Sequence, residues 1–416
     1  MGSGRVAGGR DSKGPGVPPV IAYIFTTFPK STETFLQREV TGLRSHGVNL
    51  RLYSMWGGGG EFDGLPVTRF PKWKLATLVV WLPWLVVCRP RVVIELIRGV
   101  YSRRAPSWLN FFENLLGLGF GLVYAAHFRS LRPAHIHVVW GGGPAAAAWL
   151  LWRLDGHAYS GAGHAYDLYQ DGGDWWLKEK LTPALFIHTS TEMGRRTLLE
   201  KGLAGEKIHV IRRGLNALPA LKVLRTPRPT LRLLSVARLV PKKGFVHQLR
   251  IYAALKAAGM AFEARIAGEG PLRDELVALA RALGVTEEVV FLGHRPQSEI
   301  AEHLVWADVL LHTGVVAADG DRDGLPNVIP EAMSAGVLVV TSPAAATTEA
   351  ISDGVTGRVV APEAADAWVT ILRELHYDDA QAERLRVAAR AWVEANFDAR
   401  KNSGRLAALY AEVTSA

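Results

Sequence analysis

Short apolar runs alternate with amphipathic stretches through both halves of this chain, the pattern of parallel strands covered by helices. In the first half, residues 20–26, 49–54, 136–140 and 185–189 read as strands, and 33–45 reads as a helix. In the second, 231–237, 262–267, 289–292, 309–312 and 337–341 read as strands, with helices over 247–258, 272–283 and 298–306. The expected fold class is α/β, with two Rossmann-like units and no repeat of solenoid length. A boundary is expected at 217–230, where Pro219, Pro227 and Pro229 give linker composition. Residues 1–19 are rich in Gly and Pro and lack the apolar core of a signal peptide, so they read as a disordered leader.

Two segments of the second half carry candidate chemistry. In DGLPNVIPEAMSAG (323–336), Asp323 lies in a loop and Glu331 falls eight positions on, just inside a short helix. Pro330 suits a first helical turn, and Gly336 supplies a stop before the next apolar run. The unpaired amides of such a helix end are a common phosphate site, and neighbouring carboxylates can grip hydroxyl groups. Upstream, in SVARLVPKKG (235–244), an apolar strand runs into Arg238, Lys242, Lys243 and Gly244. Cations at the carboxyl end of a parallel strand suit a diphosphate. Either segment alone reads as easily as a solvated loop or an ion-pairing surface; their order along one α/β half points to a nucleotide-sugar pocket.

With GEGPLRDEL (268–276), FLGHRP (291–296), the 307–342 stretch and EAISDGVTGRVV (349–360), these segments resemble family 4 of the glycosyltransferases, retaining enzymes of the GT-B fold. The likeness extends to the first half through 26–47, GHAYDLY (163–169) and 187–198, and so covers most of 20–416. It implies two Rossmann-like domains facing across a cleft. An acceptor domain would span 20–216 and a donor domain 231–399, with a last helix at about 400–416 crossing back to the first domain. It also implies transfer of a hexosyl group from a nucleoside diphosphate, by family habit uridine diphosphate, to an acceptor hydroxyl with retention. No cofactor or metal is expected. Arg238 and Lys243 match the pair that neutralises the diphosphate, Glu331 matches a ribose ligand, and Asp323 takes the place of a glutamate near the transferred sugar. That aspartate departs from the family pattern by one methylene. Gly324, Leu325, Pro326 and Asn327 would form the loop beside the sugar and phosphates, and His164 matches a histidine near the donor sugar. Asp167 would orient His164 or face the acceptor. Thr32, Glu33 and Thr34 resemble the acceptor-side loop, and equally suit a helix cap.

Charge changes the picture for the first half only. The chain of 416 residues has a formal charge of +9, and residues 1–215 hold 26 Lys and Arg against 15 Asp and Glu. Nine of those cations fall within 70–132, interleaved with the apolar runs 75–88 and 108–124. The 75–88 run is too short to cross a bilayer. With Trp73, Trp81 and Trp84 it suits either a peripheral contact with an anionic membrane or a buried core helix. No nucleic-acid module accompanies these cations. A single cysteine, Cys88, cannot form an internal disulfide, so the expected place is the cytoplasm, at the inner face of the cell membrane. The acceptor would then be a lipid-linked saccharide or a hydrophobic aglycone.

Other chemistry is weaker. Asp319 and Asp321 sit outside the strand-turn setting of a manganese pair, and His135 and His137 share one strand face but lack a third zinc ligand. Gly141 to Gly143 lack the spacing of a dinucleotide fingerprint. Rival readings are a GT-B epimerase or phosphorylase, and a catalytically silent nucleotide-sugar-binding partner of a membrane assembly.

Overall fold

The computed structural model describes residues 18–30, 33–221 and 229–415, which form two α/β units, each built on its own sheet. The front sheet contains β1 (Val20–Phe25), β2 (Asn49–Ser54), β3 (Glu61–Phe62), β4 (Leu65–Arg69), β5 (His135–Val138), β6 (Tyr159–Ala162), β7 (Ile187–Thr189) and β8 (Ile208–Val210). Their order is β3-β4-β2-β1-β5-β6-β7-β8, parallel throughout except for the β3–β4 pair. The rear sheet contains β9 (Leu231–Val236), β10 (Phe262–Ala267), β11 (Val289–Gly293), β12 (Val309–His312), β13 (Leu338–Thr341) and β14 (Arg358–Val359). Its order is β11-β10-β9-β12-β13-β14, all parallel. Helices cover both faces of each sheet, so central strands such as β1 and β13 are apolar along their length rather than alternating.

The order of both sheets reverses near the middle, where β1 neighbours β5 and β9 neighbours β12. Loops leaving the carboxyl ends of such strand pairs diverge and leave a crevice. Thr26 follows β1, Trp140 follows β5, His164 follows β6 and Arg238 follows β9, so the two crevices are lined from opposite sheets.

The chain returns to the front unit at its end. Leu215 N–H donates to the Phe397 carbonyl (2.8 Å) and Ala399 N–H donates back to Leu215 (3.2 Å). From there the helix Ala399–Ser415 lies along Thr34–Ser45, with Gly42 against Ser403 and the Tyr410 hydroxyl donating to that of Tyr23 (3.1 Å). Within the expected linker, residues 222–228 lie outside the described residues, as do 1–17 of the expected leader.

Between β4 and β5 the chain forms a 3-10 turn (Lys72–Thr77) and the helices Leu78–Cys88, Pro90–Tyr101 and Trp108–Leu131. The apolar 75–88 run thus ends in an 11-residue helix, bent by 109° from the next. Trp108–Leu131 has the length and composition to cross a membrane, yet half of its most apolar window is buried in the protein. It packs on Gly143–Asp155 so closely that a Cβ on Gly117 would stand 1.9 Å from the Gly143 carbonyl oxygen. Ala145 to Ala148 keep the facing surface flat.

Candidate active site

A cavity of about 630 Å³ lies between the carboxyl ends of the two sheets. Its rear wall starts where β9 ends. The chain passes through Arg238 into a 3-10 turn, Pro241–Lys243, closed by Gly244 at φ +65°. A Cβ on Gly244 would meet the Thr313 carbonyl oxygen at 1.9 Å, so only glycine lets this turn settle on the end of β12 and carry both lysines into the cleft.

The lysines are not free there. Lys243 Nζ is ion-paired with Asp323, and Lys242 Nζ holds Asp321 (2.9 Å) and Asp323 (3.4 Å). Burial alone would raise the Asp323 carboxyl, but the Lys243 and Lys242 ammonium groups hold it well below the usual carboxylate range. His312 stands 4.0 Å behind Asp323, and burial pushes its imidazole down to about 4, so it is neutral. In this arrangement Asp323 neutralises the charge that Lys243 brings to the cavity wall. The DGD segment is committed similarly: Asp319 accepts from the Asp321 N–H (2.9 Å) and Asp321 is held by Lys242.

The cavity wall includes Arg238, Lys243, Asp323, Gly324, Leu325, Pro326 and Asn327 at the rear, with His164, Asp167 and Glu33 facing them from the front. Two other described candidates stand apart. Glu331, expected beside the donor, does not reach the wall: its Oε1 is ion-paired with Arg38 Nη2 of the front unit at 3.0 Å. A partner 293 positions away thus claims this carboxylate. Thr34 opens the helix Thr34–Ser45 and lies outside the wall, and Thr32 is outside the described residues. The helix-cap reading of this loop fails at Glu33, whose side chain makes no capping bond and pairs instead with Lys30 (2.9 Å).

On the front wall, His164 precedes the short helix Ala165–Tyr169. Burial, then the nearby Arg213 and His188, hold its imidazole well below the usual range, so the ring is neutral, with Nδ1 unpartnered. Asp167 does not orient that ring. Its Oδ2 accepts the Gly141 N–H (2.8 Å), its Oδ1 is buried without a partner, and burial pushes the carboxyl up to about 7. Glu113, from Trp108–Leu131, joins the wall and accepts the Tyr166 hydroxyl. Behind it Lys180 and Asp174 form a fully buried ion pair (2.9 Å), completed by Asn114. Sequence reasoning missed Glu113, Tyr166 and Gly142; helical spacing alone would have put Glu113 on the face of Leu109, which also lines the cavity.

Deeper in the front unit, His137 Nε2 and His188 Nε2 face each other at 3.2 Å, and Ser160 Oγ bridges His135 and His137. The ligand atoms of Glu39, His137 and His188 lie within 4.8 Å of one another, a set of three able to hold a metal ion. Of the strand pair His135 and His137 only His137 belongs to this set; its two partners, His188 and Glu39, come from β7 and the first helix.

Residues 221–392 match the family model described as glycosyl transferases group 1. The chain is 34% identical over 209 residues to the amylovoran biosynthesis glycosyltransferase AmsK of Erwinia amylovora, covering 50% of this chain and 51% of that protein. It is 36% identical over 175 residues to the GDP-mannose-dependent alpha-(1-6)-phosphatidylinositol monomannoside mannosyltransferase of Mycolicibacterium smegmatis, covering 42% and 46%. Each match therefore spans about half of the relative's length. The fold is shared with Anabaena HepE, solved in complex with UDP and glucose: TM-score 0.69 at 16% identity, over 95% of this chain and 99% of that one. These likenesses identify the two facing units as a GT-B fold.

Proposed function

We propose that this chain, which carries a glycosyl transferases group 1 domain in a GT-B fold, transfers a sugar from a nucleoside diphosphate to an acceptor hydroxyl with retention. The observation that carries the reading is one cavity in which Arg238 and Lys243 face His164 across the gap between the sheets. Arg238 and Lys243 would take the negative charge that develops on the departing diphosphate, each contributing on the order of 3 kcal/mol to the transition state. The bond from the anomeric carbon to the phosphate oxygen breaks, the bond to the acceptor oxygen forms on the same face, and the acceptor proton leaves with the diphosphate. Neutral His164 can hydrogen-bond the sugar without adding charge. No step needs a metal.

For this sequence to work, Asp323 must yield Lys243 to the incoming phosphate. The same pairing favours a second reading, a silent nucleotide-sugar binder in which Asp323 keeps the lysine. UDP and glucose in HepE and GDP-mannose in the mycobacterial relative's name make uridine and guanosine the bases to try; we favour uridine. The exposed apolar and basic helices of 72–112 support a peripheral place on the cytoplasmic face of a membrane.

Thermal shift and hydrolysis across UDP-, GDP- and dTDP-sugars give the test. One class should stabilise the protein and turn over, and Lys243→Ala should lower kcat about 100-fold or more. Stabilisation without turnover by any acceptor favours the silent binder, and parental kcat in Lys243→Ala removes the site assignment.

A further inference from the structure

Three carboxyl groups converge on one point of the front wall. A Cβ built on Gly142 would stand 3.6 Å from Asp167 Oδ1, 3.8 Å from Glu113 Oε2 and 4.0 Å from Asp174 Oδ2. Glycine leaves that point open, and Gly142, Asp167, Glu113 and Tyr166 all line the cavity. Asp174 is spent on the fold: it accepts from Asn114 Nδ2 (2.7 Å) and the Trp176 N–H (2.9 Å) and pairs with Lys180. Asp167 is not. Its side chain is completely buried, one oxygen is held by the Gly141 N–H, and the other has no partner at all. A buried acceptor atom without a donor is costly to keep, and a ligand hydroxyl is the donor that fits it.

The same helix continues into apolar surface. Leu109 stands one turn before Glu113 and shares the cavity wall, while Trp108 and Phe112 beside it are exposed. Ser107 fixes this helix start by accepting the Asn110 N–H (3.1 Å). A polar cradle and an apolar rim thus lie four residues apart on one face.

We infer that Asp167 and Glu113 form the acceptor subsite, receiving hydroxyl hydrogens of a sugar whose apolar aglycone lies over Leu109 and Phe112. The acceptor class is an alkyl- or lipid-borne saccharide rather than a free sugar. This rests on the transfer reaction proposed above, in which the acceptor proton goes to the diphosphate, so the two carboxylates bind and orient rather than remove it.

The test uses the full chain with the donor found in the nucleotide-sugar screen, and compares octyl glucoside, galactoside and mannoside with their methyl counterparts. The parent should prefer an octyl glycoside. At pH 8, where Asp167 is ionised, Asp167→Asn and Glu113→Gln should raise its KM about tenfold to a hundredfold, the loss of one hydrogen bond to a charged group, while the donor KM shifts far less. Leu109→Ser should raise the KM for the octyl but not the methyl glycoside. Glu113→Gln, in the second turn of its helix and less buried than Asp167, carries the result if Asp167→Asn fails to fold. Unchanged acceptor KM in both carboxyl variants overturns the subsite. Donor hydrolysis by the parent with transfer to no octyl glycoside overturns the acceptor class alone, whereas no turnover of any donor removes the transfer reaction beneath it.

Discussion

Asp167 shows how one buried group ties the site to stability. Burial lifts its carboxyl from 3.8 to about 7; the Gly141 N–H and Lys180 oppose that rise, and Asp174 and Glu113 add to it. Its folded value lies above the unfolded one, so the folded chain holds an extra proton between those limits. The resulting stabilisation is complete below 3.8 and lost as pH rises through about 7. Asn at this position removes the titration while keeping an acceptor for Gly141. The fall in stability of the parent between pH 5 and pH 8, relative to Asp167→Asn, should be on the order of 2–4 kcal/mol, since a tenfold difference in proton affinity between the folded and unfolded chain corresponds to about 1.4 kcal/mol. Buried histidines such as His137 and His164 have the opposite slope in both proteins and cancel in the difference. Parallel pH curves for the two proteins, measured by urea unfolding, would refute the buried, unpartnered carboxyl.

At the scale of elements, the crossing of Trp108–Leu131 over Gly143–Asp155 both closes the front core and delivers Glu113 to the cleft. Gly117→Ala puts a methyl 1.9 Å from a backbone oxygen, which no rotamer can relieve, so the helix must lift. A loss of about 1–3 kcal/mol is expected, with Glu113 displaced one turn away and the acceptor KM raised too. Gly60→Ala, where nothing lies within 4 Å, is the control and should match the parent's Tm. This crossing was not legible in the sequence. Runs such as 231–237 and 309–312 declare themselves because a strand covered on both faces is apolar along most of its length. In contrast, β6 reads YSGA and β8 is three residues long, so neither has a periodicity to detect. The site divides in the same way. Arg238 and Lys243 could be placed on the cavity wall because a strand end and its following turn fix them locally, whereas Asp323, eleven residues past β12, was read from its motif. Glu113, Gly142 and the Arg38 grip on Glu331 depend on which helix meets which, and no local pattern encodes that.

For the whole molecule, the question is what covers the helices inserted between β4 and β5. Val79 and Val87 of Leu78–Cys88 are 76% and 78% exposed, with Val80, Val86, Ile94 and Ile97 also in solvent. Between and after them stand exposed Arg89, Arg91, Arg98 and Arg104. Apolar side chains set among cations match a bilayer surface carrying anionic lipid, where each Lys or Arg near the headgroups contributes about 1 kcal/mol. The third helix carries exposed Trp108 and Phe112 to the rim of the cleft, so a protein resting on these helices would meet a lipid-borne acceptor at its own active site. Phosphatidylcholine vesicles containing phosphatidylglycerol should therefore sediment the protein, and pure phosphatidylcholine should retain much less. High salt should weaken the attraction by screening the cationic contribution, leaving the apolar part. Val79→Asp with Val87→Asp puts two charges where the bilayer would bury apolar surface, and should release the protein from vesicles without lowering its Tm, because both side chains touch mostly water. If that double variant sediments like the parent, the helices face something other than lipid, and the acceptor must reach the cleft from solution.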